Sequence, residues 1–507
     1  MGMLSTLIGT RLPQRYRKYF NLPPQMQSWA LTDTASTALG GATRKWLSEH
    51  DKPCGVMRLD FGLDALSARI GLIEAAESSI DIQSYLISDD LSGNLVALRL
   101  IDAAERGVRV RLLMDDALTE SIDAGLLTMD KHPNIEVRVF NPFPRRRSRF
   151  IALIAYFNIL NRRMHNKSFT VDNKVSIVGG RNIADEYFQI GGEVVFLDED
   201  ILAIGAVVDQ VSSGFDDYWN TPEAIPISVF EKVIEHEPYE EMVAQGRKYL
   251  SRNESSAYIR AVNDGLLKQL LAGSLPLTPA DVELVMDRPD KVRKLVGRST
   301  SYTSEYLRDM VSAASDEVIV ISPYFVPQKQ GVDFFRSLAA RGVRVVIVTN
   351  SLASTNHSSV HAVYARYRKP LLRAGVELYE LRPQSLPQHE LDGDSDEAHV
   401  TLHSKVAVVD SRKAFVGSFN LDPRSLYLNT EMGVVVNSPG LATSMASSIT
   451  ERLPRFAYRL GLNHGGKLQW HYRTANGMQV ASKEPHTSVW RRLATRFLGL
   501  LPIEGQM

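Results

Sequence analysis

Cysteine is nearly absent from this sequence. Cys54 is the one thiol in 507 residues, so the chain forms no internal disulfide and no cysteine-rich zinc site. Long apolar runs are missing as well; none reaches the roughly 18 residues that a spanning helix needs. Net charge is missing too. Lys+Arg and Asp+Glu each number 58, so no global field draws the chain to nucleic acid, and none is expected as a partner. Met1 to Phe20 carries a short apolar stretch followed by Arg11, Arg15, Arg17 and Lys18, the reverse of the charge order in a secretory signal. Met1-Gly2 through Thr6 matches a myristoylation pattern only loosely. The expectation is a protein kept in the cytoplasm, free or resting on a membrane surface. With 44% hydrophobic and 23% charged residues, the composition is that of a globular chain with more than one core.

What the sequence does have is an internal repeat. Ile80–Ile87 (IDIQSYLI) resembles Val318–Val326 (VIVISPYFV), and Ala103–Asp115 (AAERGVRVRLLMD) matches Leu338–Asn350 (LAARGVRVVIVTN). Ile135–Pro142 then pairs with Val376–Pro383, and Met164–Ile183 with Leu402–Leu421. Matched blocks in one order mean duplicated units. Each alternates a helix, a glycine at its end (Gly107, Gly342) and a buried strand, which predicts α/β sandwiches with mixed sheets. The predicted organisation is an N-terminal basic extension (1–57), a first domain (58–220), a helical connector (221–297), a second domain (298–453) and a tail (454–507) with an amphipathic helix. Gln384–Ala398, with five acidic residues, reads as a loop.

The last pair of blocks carries the chemistry. His165, Lys167, Asp172, Gly179, Gly180 and Asn182 match His403, Lys405, Asp410, Gly417, Ser418 and Asn420 in the pattern H-x-K-x4-D-x6-G-[GS]-x-N. His and Lys two apart on a strand share a face, while Asn166 and Ser404 point away. A polar pair after each Asp (Asn173-Lys174, Ser411-Arg412) predicts a hairpin that returns the Asn toward the His. Lysine, asparagine and glycine-rich backbone suit a phosphate and the charge that grows on it in a pentacoordinate transition state. One histidine can attack phosphorus, and the other can protonate the leaving alcohol and later deprotonate the incoming one. Asp172 and Asp410 are expected to brace the hairpin more than to touch substrate. Each histidine needs a carboxylate to fix its tautomer. Glu431 is placed for this in the second half, and in the first half Asp198 is favoured over Glu193.

These motifs resemble the phospholipase D superfamily. RMHNKSFTVDNKVSIVGGRNIADEYF, FLDEDILAIG, TLHSKVAVVD, VGSFNLDPRSLYLNTEMG and the closing KEPHTSVWRRLATRFLGLLP are similar to the C-type bacterial cardiolipin synthases, from about Leu59 to Pro502. The resemblance implies two pseudo-symmetric phospholipase D-like α/β/α sandwich domains, packed face to face around one shared active site. It also implies transfer of a phosphatidyl group to phosphatidylglycerol without metal or cofactor, with phosphatidylethanolamine or phosphatidylglycerol as donor. His165 would be the nucleophile and His403 the general acid. Gly180, where many first motifs have Ser, removes one donor and leaves phosphate binding to Ser418 and backbone groups. A hydrolytic phospholipase D and a nuclease of the same superfamily are the rival readings. The expected location is peripheral on the bacterial inner membrane, and the resemblance leaves room for an accessory protein.

Three segments suggest lipid contact. Ile151–Leu160 is bracketed by Arg145, Arg146, Arg147, Arg149, Arg162 and Arg163, and either lies in a membrane interface or is core. Ser488–Leu501 reads as an amphipathic helix that faces either lipid or the protein's own body. The basic N-terminus is the third. His361, Arg366, Arg368 and Lys369 would grip a second phosphate or form a solvated helix face.

Overall fold

The computed structural model describes residues 26–143, 157–190, 194–253, 269, 272, 274–293, 301–383, 399–474, 476–501 and 504–506. The basic N-terminus, Glu193, the arginines 145–149 with Ile151–Tyr156, and Gln384–Ala398 lie outside these residues.

Each half builds one mixed sheet in the same strand order. In the first half the order is Ile135–Phe140, Arg109–Asp115, Ser79–Ser84, Ser168–Val171, Val175–Gly179, Asp200–Gly205 and Cys54–Leu59. The first three strands are parallel and the rest antiparallel. In the second half Glu377–Leu381, Arg344–Asn350, Glu317–Ile321, Val406–Val409, Lys413–Gly417, Met432–Asn437 and Thr278–Met286 repeat that arrangement. The last strand of one half pairs antiparallel with the last of the other, Cys54 opposite Ala280, so the sheets join into a single 18-stranded sheet.

Side-chain alternation sorts these strands between three cores. Ile177 and Leu202 face the outer core of the first half, beneath helices Gly62–Ala75 and Leu91–Glu105. Phe415 and Val435 do the same in the second half, under helices Tyr302–Ser312 and Gln328–Ala340. Their neighbours Val178, Ile201 and Ala203 meet Val408, Val416 and Val434 in a core shared by both sheets. Burial on both faces explains why these strands read as nearly unbroken apolar runs. The halves therefore pack face to face, as well as edge to edge.

The structure corrects two expected boundaries. Cys54–Leu59 starts the first half inside what was read as an extension, and the connector is not simply helical. It holds helix Tyr239–Arg252, but also strand Thr278–Met286, which completes the second sheet. Thr278–Met286 (TPADVELVM) carries a proline and alternating charges because one of its faces is only partly covered, so its sequence resembles a linker. The tail likewise continues the second sheet, with strands Ala457–Leu462, Leu468–Thr474 and Gly477–Ala481.

The hairpins after each motif turn one residue earlier than the polar pairs suggest. Asp172 and Asn173 both have φ of 50°, and Asp410 and Ser411 have φ of 51° and 50°. Lys174 N–H donates to Val171 O and Arg412 N–H to Val409 O, so the aspartate itself is the first central residue of a tight turn. Its carboxylate then accepts from the backbone entering the neighbouring strand. Asp172 takes the N–H groups of Glu77, Ser78 and Ser79, and Asp410 those of Ser315, Asp316 and Glu317. Both aspartates brace the sheet at the hairpin end.

Candidate active site

The two motifs meet where the halves exchange short segments. Val194–Leu197 pairs in parallel with His399–Leu402, and at the pseudo-equivalent place Met164 bridges Thr430. His165 N–H donates to Thr430 O at 3.0 Å, and the N–H groups of His403 and Ser404 donate to Leu197 O at 2.7 and 2.9 Å. The residues between His and Lys pin the same crossings. Asn166 accepts from Thr430 Oγ1 at 3.0 Å, and Ser404 Oγ donates to Leu197 O at 3.0 Å.

Because each histidine is threaded against the other half, the carboxylate partners are exchanged. His165 Nδ1 lies 2.9 Å from Glu431 Oε2, and His403 Nδ1 lies 2.5 Å from Asp198 Oδ2. Each half orients the other's histidine. Asp198 and Glu431 are the carboxylates expected from sequence, but reading each half alone placed them beside their own histidines. The cross-pairing arises only on dimer-like packing of the repeats, which no single repeat records.

Lys167 Nζ donates to His165 O at 2.7 Å. Lys405 Nζ donates to His403 O and lies 2.8 Å from His403 Nδ1. Ser418 Oγ donates to Glu431 Oε2 at 2.5 Å, and Ser425 Oγ to Glu431 Oε1 at 2.8 Å. Asn182 Nδ2 donates to Tyr187 Oη at 2.8 Å. The amide oxygens of Asn182 and Asn420 are buried without a hydrogen-bond partner among the described residues, acceptors available to a hydroxyl. Aromatic rings wall both imidazoles. Tyr85 stands edge-on to His165 with ring centres 5.1 Å apart, and Tyr187 does the same at His403 at 5.0 Å. These tyrosines, with Tyr324 near His403, were missed in the sequence; Tyr85 and Tyr324 both follow the first repeated strand, one residue out of register with each other.

Burial governs the electrostatics. It pushes the His165 imidazole below its ordinary value, against the pull of Glu431. His403 falls to about 3, from burial and the Lys405 charge, with Asp198 opposing. Burial also lowers Lys167 to about 7 and Lys405 to about 8. Burial tends to raise Asp198 and Glu431, but the neighbouring cations and donors outweigh it, and both carboxylates stay ionised. The resting site therefore holds neutral imidazoles whose Nδ1–H groups face carboxylates, leaving Nε2 as the nucleophilic atom. An entering phosphodiester anion restores the charge on the lysines, since a nearby negative group favours the protonated forms.

Gly180 has a specific steric cause. A Cβ there would lie 2.2 Å from Asp198 Oδ1. The first half fits a short carboxylate against glycine, whereas the second fits glutamate against Ser418. The serine hydroxyl expected to bind phosphate is thus engaged by Glu431. Gly180→Ser should displace Asp198, loosen His403 and lower turnover by about 100-fold, the scale of a 1 Å misplacement. Steady-state kinetics with a thermal melt checks this; near-parental turnover in a folded variant would contradict it.

Comparison with known proteins agrees with this geometry. The family model described as "Cardiolipin synthase, PLD-like domain" matches residues 70–219 and 307–453. The chain belongs to that family. It is 42% identical to cardiolipin synthase C of Escherichia coli (strain K12), over 92% of this chain and 99% of that protein. It is 24% identical to cardiolipin synthase A of Pseudomonas syringae pv. syringae, over 77% of this chain and 66% of that protein. Among solved structures, phosphatidylserine synthase of Haemophilus influenzae Rd KW20 shares the fold, with a TM-score of 0.55 at 13% identity, covering 83% of this chain and 92% of that one.

The cluster read as a second phosphate grip has a different place in this family member. Arg368 is buried and donates to Glu380 at 2.7 Å, to Glu484 at 2.6 Å and toward His361 Nε2 at 2.6 Å. Arg366 lies 3.5 Å from Glu504. These cations hold the C-terminal tail on the second half, and Lys369 is exposed, with no such contact among the described residues. Arg163 also points inward, to Asp115 at 3.2 Å, and Arg162 is buried, so neither presents its charge at the surface. Phe157–Leu160 is the described part of that segment, with Phe157 exposed and Leu160 buried.

Proposed function

We propose that this protein is a cardiolipin synthase that transfers a phosphatidyl group between phospholipids through a phosphohistidine. The observation that carries the reading is the composite site: two histidines, each braced by a carboxylate of the opposite half, with two buried lysines beside them. In the first step a bond forms from His165 Nε2 to phosphorus while the bond from phosphorus to the donor headgroup oxygen breaks. The bound phosphodiester anion favours the imidazolium of His403, whose Nε2 gives its proton to that oxygen and leaves the ring neutral. In the second step the hydroxyl of phosphatidylglycerol loses its proton to His403, attacks phosphorus and releases His165. The lysines stabilise the extra charge on the non-bridging oxygens in both steps. The similarity to the E. coli C-type synthase supports phosphatidylethanolamine as donor, and lipid substrates require a membrane-surface location.

Phosphatidylglycerol vesicles with and without phosphatidylethanolamine, in chelator, test this directly. Cardiolipin with released ethanolamine supports the reading, and cardiolipin with glycerol from phosphatidylglycerol alone moves only the donor. Phosphatidic acid without cardiolipin would make the protein a hydrolase and sink the transfer reading.

The pH dependence of kcat/KM is a second test, since it reports the free enzyme. Deprotonation of Lys167 and Lys405 removes activity as pH rises through about 7 to 8, well below an ordinary lysine. Protonation of the nucleophile His165, whose imidazole is depressed by burial, removes it only as pH falls below the ordinary histidine value. A rate constant flat to pH 10 would contradict the buried-lysine account.

A further inference from the structure

Helix Val489–Leu498 is amphipathic in an inverted sense. Its polar side meets the protein: Thr495 is 6% exposed, and Arg491 donates to Thr355 O at 3.1 Å. Its apolar side faces outward, with Trp490 80%, Leu493 48%, Phe497 65% and, just beyond the helix, Leu500 82% exposed. These residues recur at helical spacing on one face, so they form one patch. A helix that merely covered a core would turn that face inward.

Several contacts fix this orientation. Ser488 caps the helix by accepting from Arg491 N–H at 3.1 Å. Glu484, four residues earlier, is anchored by the buried guanidinium of Arg368 at 2.6 Å, and His361 and Arg368 outweigh its burial and keep it ionised. The helix also sits next to the site. Thr355 belongs to the loop whose Ser354 O accepts from Thr401 Oγ1 at 2.7 Å, and Asn350 Oδ1 accepts from Leu402 N–H at 2.9 Å. Leu402 immediately precedes His403. The helix itself contains three arginines and no acidic residue, and Arg496 is exposed at the edge of the patch. An apolar face with a cationic margin complements an anionic lipid surface, not a neutral protein groove.

We infer that helix Val489–Leu498 is a membrane-docking element that lays Trp490, Leu493, Phe497 and Leu500 into an anionic bilayer beside the His403 side of the active site. This rests on the reading of the substrates as membrane lipids. It goes beyond that reading in naming the surface that meets the bilayer, and it gives the buried Arg368–Glu484 pair a purpose, holding a helix apolar side out.

The test uses the full-length protein with vesicles of phosphatidylglycerol and phosphatidylethanolamine, against vesicles of phosphatidylcholine. Trp490→Glu/Phe497→Glu alters exposed residues outside the catalytic machinery. The variant should lose at least about 10-fold in partitioning to anionic vesicles, and transfer on vesicles should fall with it. Transfer on short-chain, water-soluble phospholipids should stay at the parental rate. In the parent, acyl-chain-brominated lipids should quench Trp490, and Trp490→Phe should abolish that quenching. Parental vesicle binding by the double variant would overturn the inference. So would a parent that self-associates through this face, seen as a dimer by sedimentation that the double variant lacks. Absence of transfer on the short-chain lipids in the parent would instead count against the proposed reaction, leaving the quenching result to decide the docking.

Discussion

His165→Ala and His403→Ala should each reduce phosphatidyl transfer by at least about 10⁴-fold while leaving the melting temperature close to the parent's. Both imidazoles are held by hydrogen bonds to carboxylates rather than packed as apolar core groups, so their loss removes chemistry more than packing. The two variants should fail differently. His403→Ala keeps the attacking nitrogen and its Glu431 partner, so it should still accept a phosphatidyl group from a donor whose leaving group needs no proton. His165→Ala has no atom to carry that group and should form no covalent adduct from any donor. Substantial transfer by either variant on the natural donor would defeat the two-histidine mechanism.

The exchanged carboxylates give the second large effect. Asp198→Asn should disable His403, which lies in the other half, and Glu431→Gln should disable His165. Each amide can present its NH₂ to Nδ1 and so favour the wrong tautomer, an effect worth about 10⁴-fold in the Ser-His-Asp enzymes. Here about 10² to 10⁴-fold is expected, because the Lys405 and Lys167 charges remain in place. Proton NMR of the imidazole Nδ1–H groups separates the partners. Asp198→Asn should remove or shift the His403 resonance and leave that of His165, and Glu431→Gln should do the opposite. Perturbation of the histidine in the same half would contradict the crossed pairing.

Much of this site was legible in the sequence for a simple reason. The repeats each carry a full set of chemical residues, and His165, Lys167, His403 and Lys405 could be named from spacing alone. The sheet pattern was legible as well, because strands buried on both faces leave apolar runs such as Val406–Val409. What could not be read was anything created between the halves. The partner of each histidine, the joining strands Cys54–Leu59 and Thr278–Met286, and the bracing of Gly180 against Asp198 all depend on how two copies face each other. Arg368 shows the converse error. A run of basic residues suggested either a phosphate grip or a solvated helix face, but Arg368 is buried and neutralised by Glu380 and Glu484, which lie 12 and 116 residues away. Asp172 and Asp410 were expected as hairpin braces, but their place in the turn and their partners in the neighbouring strand, 93 to 95 residues away, were not legible.

The most direct test of the composite site is to catch the intermediate. Rapid mixing with a donor labelled in its phosphatidyl phosphate, followed by alkaline quench and proteolysis, locates any covalent phosphorus. The account predicts an alkali-stable, acid-labile adduct on the peptide holding His165, which a chase of phosphatidylglycerol converts to labelled cardiolipin. Full turnover with no histidine-bound phosphorus at any time would contradict it.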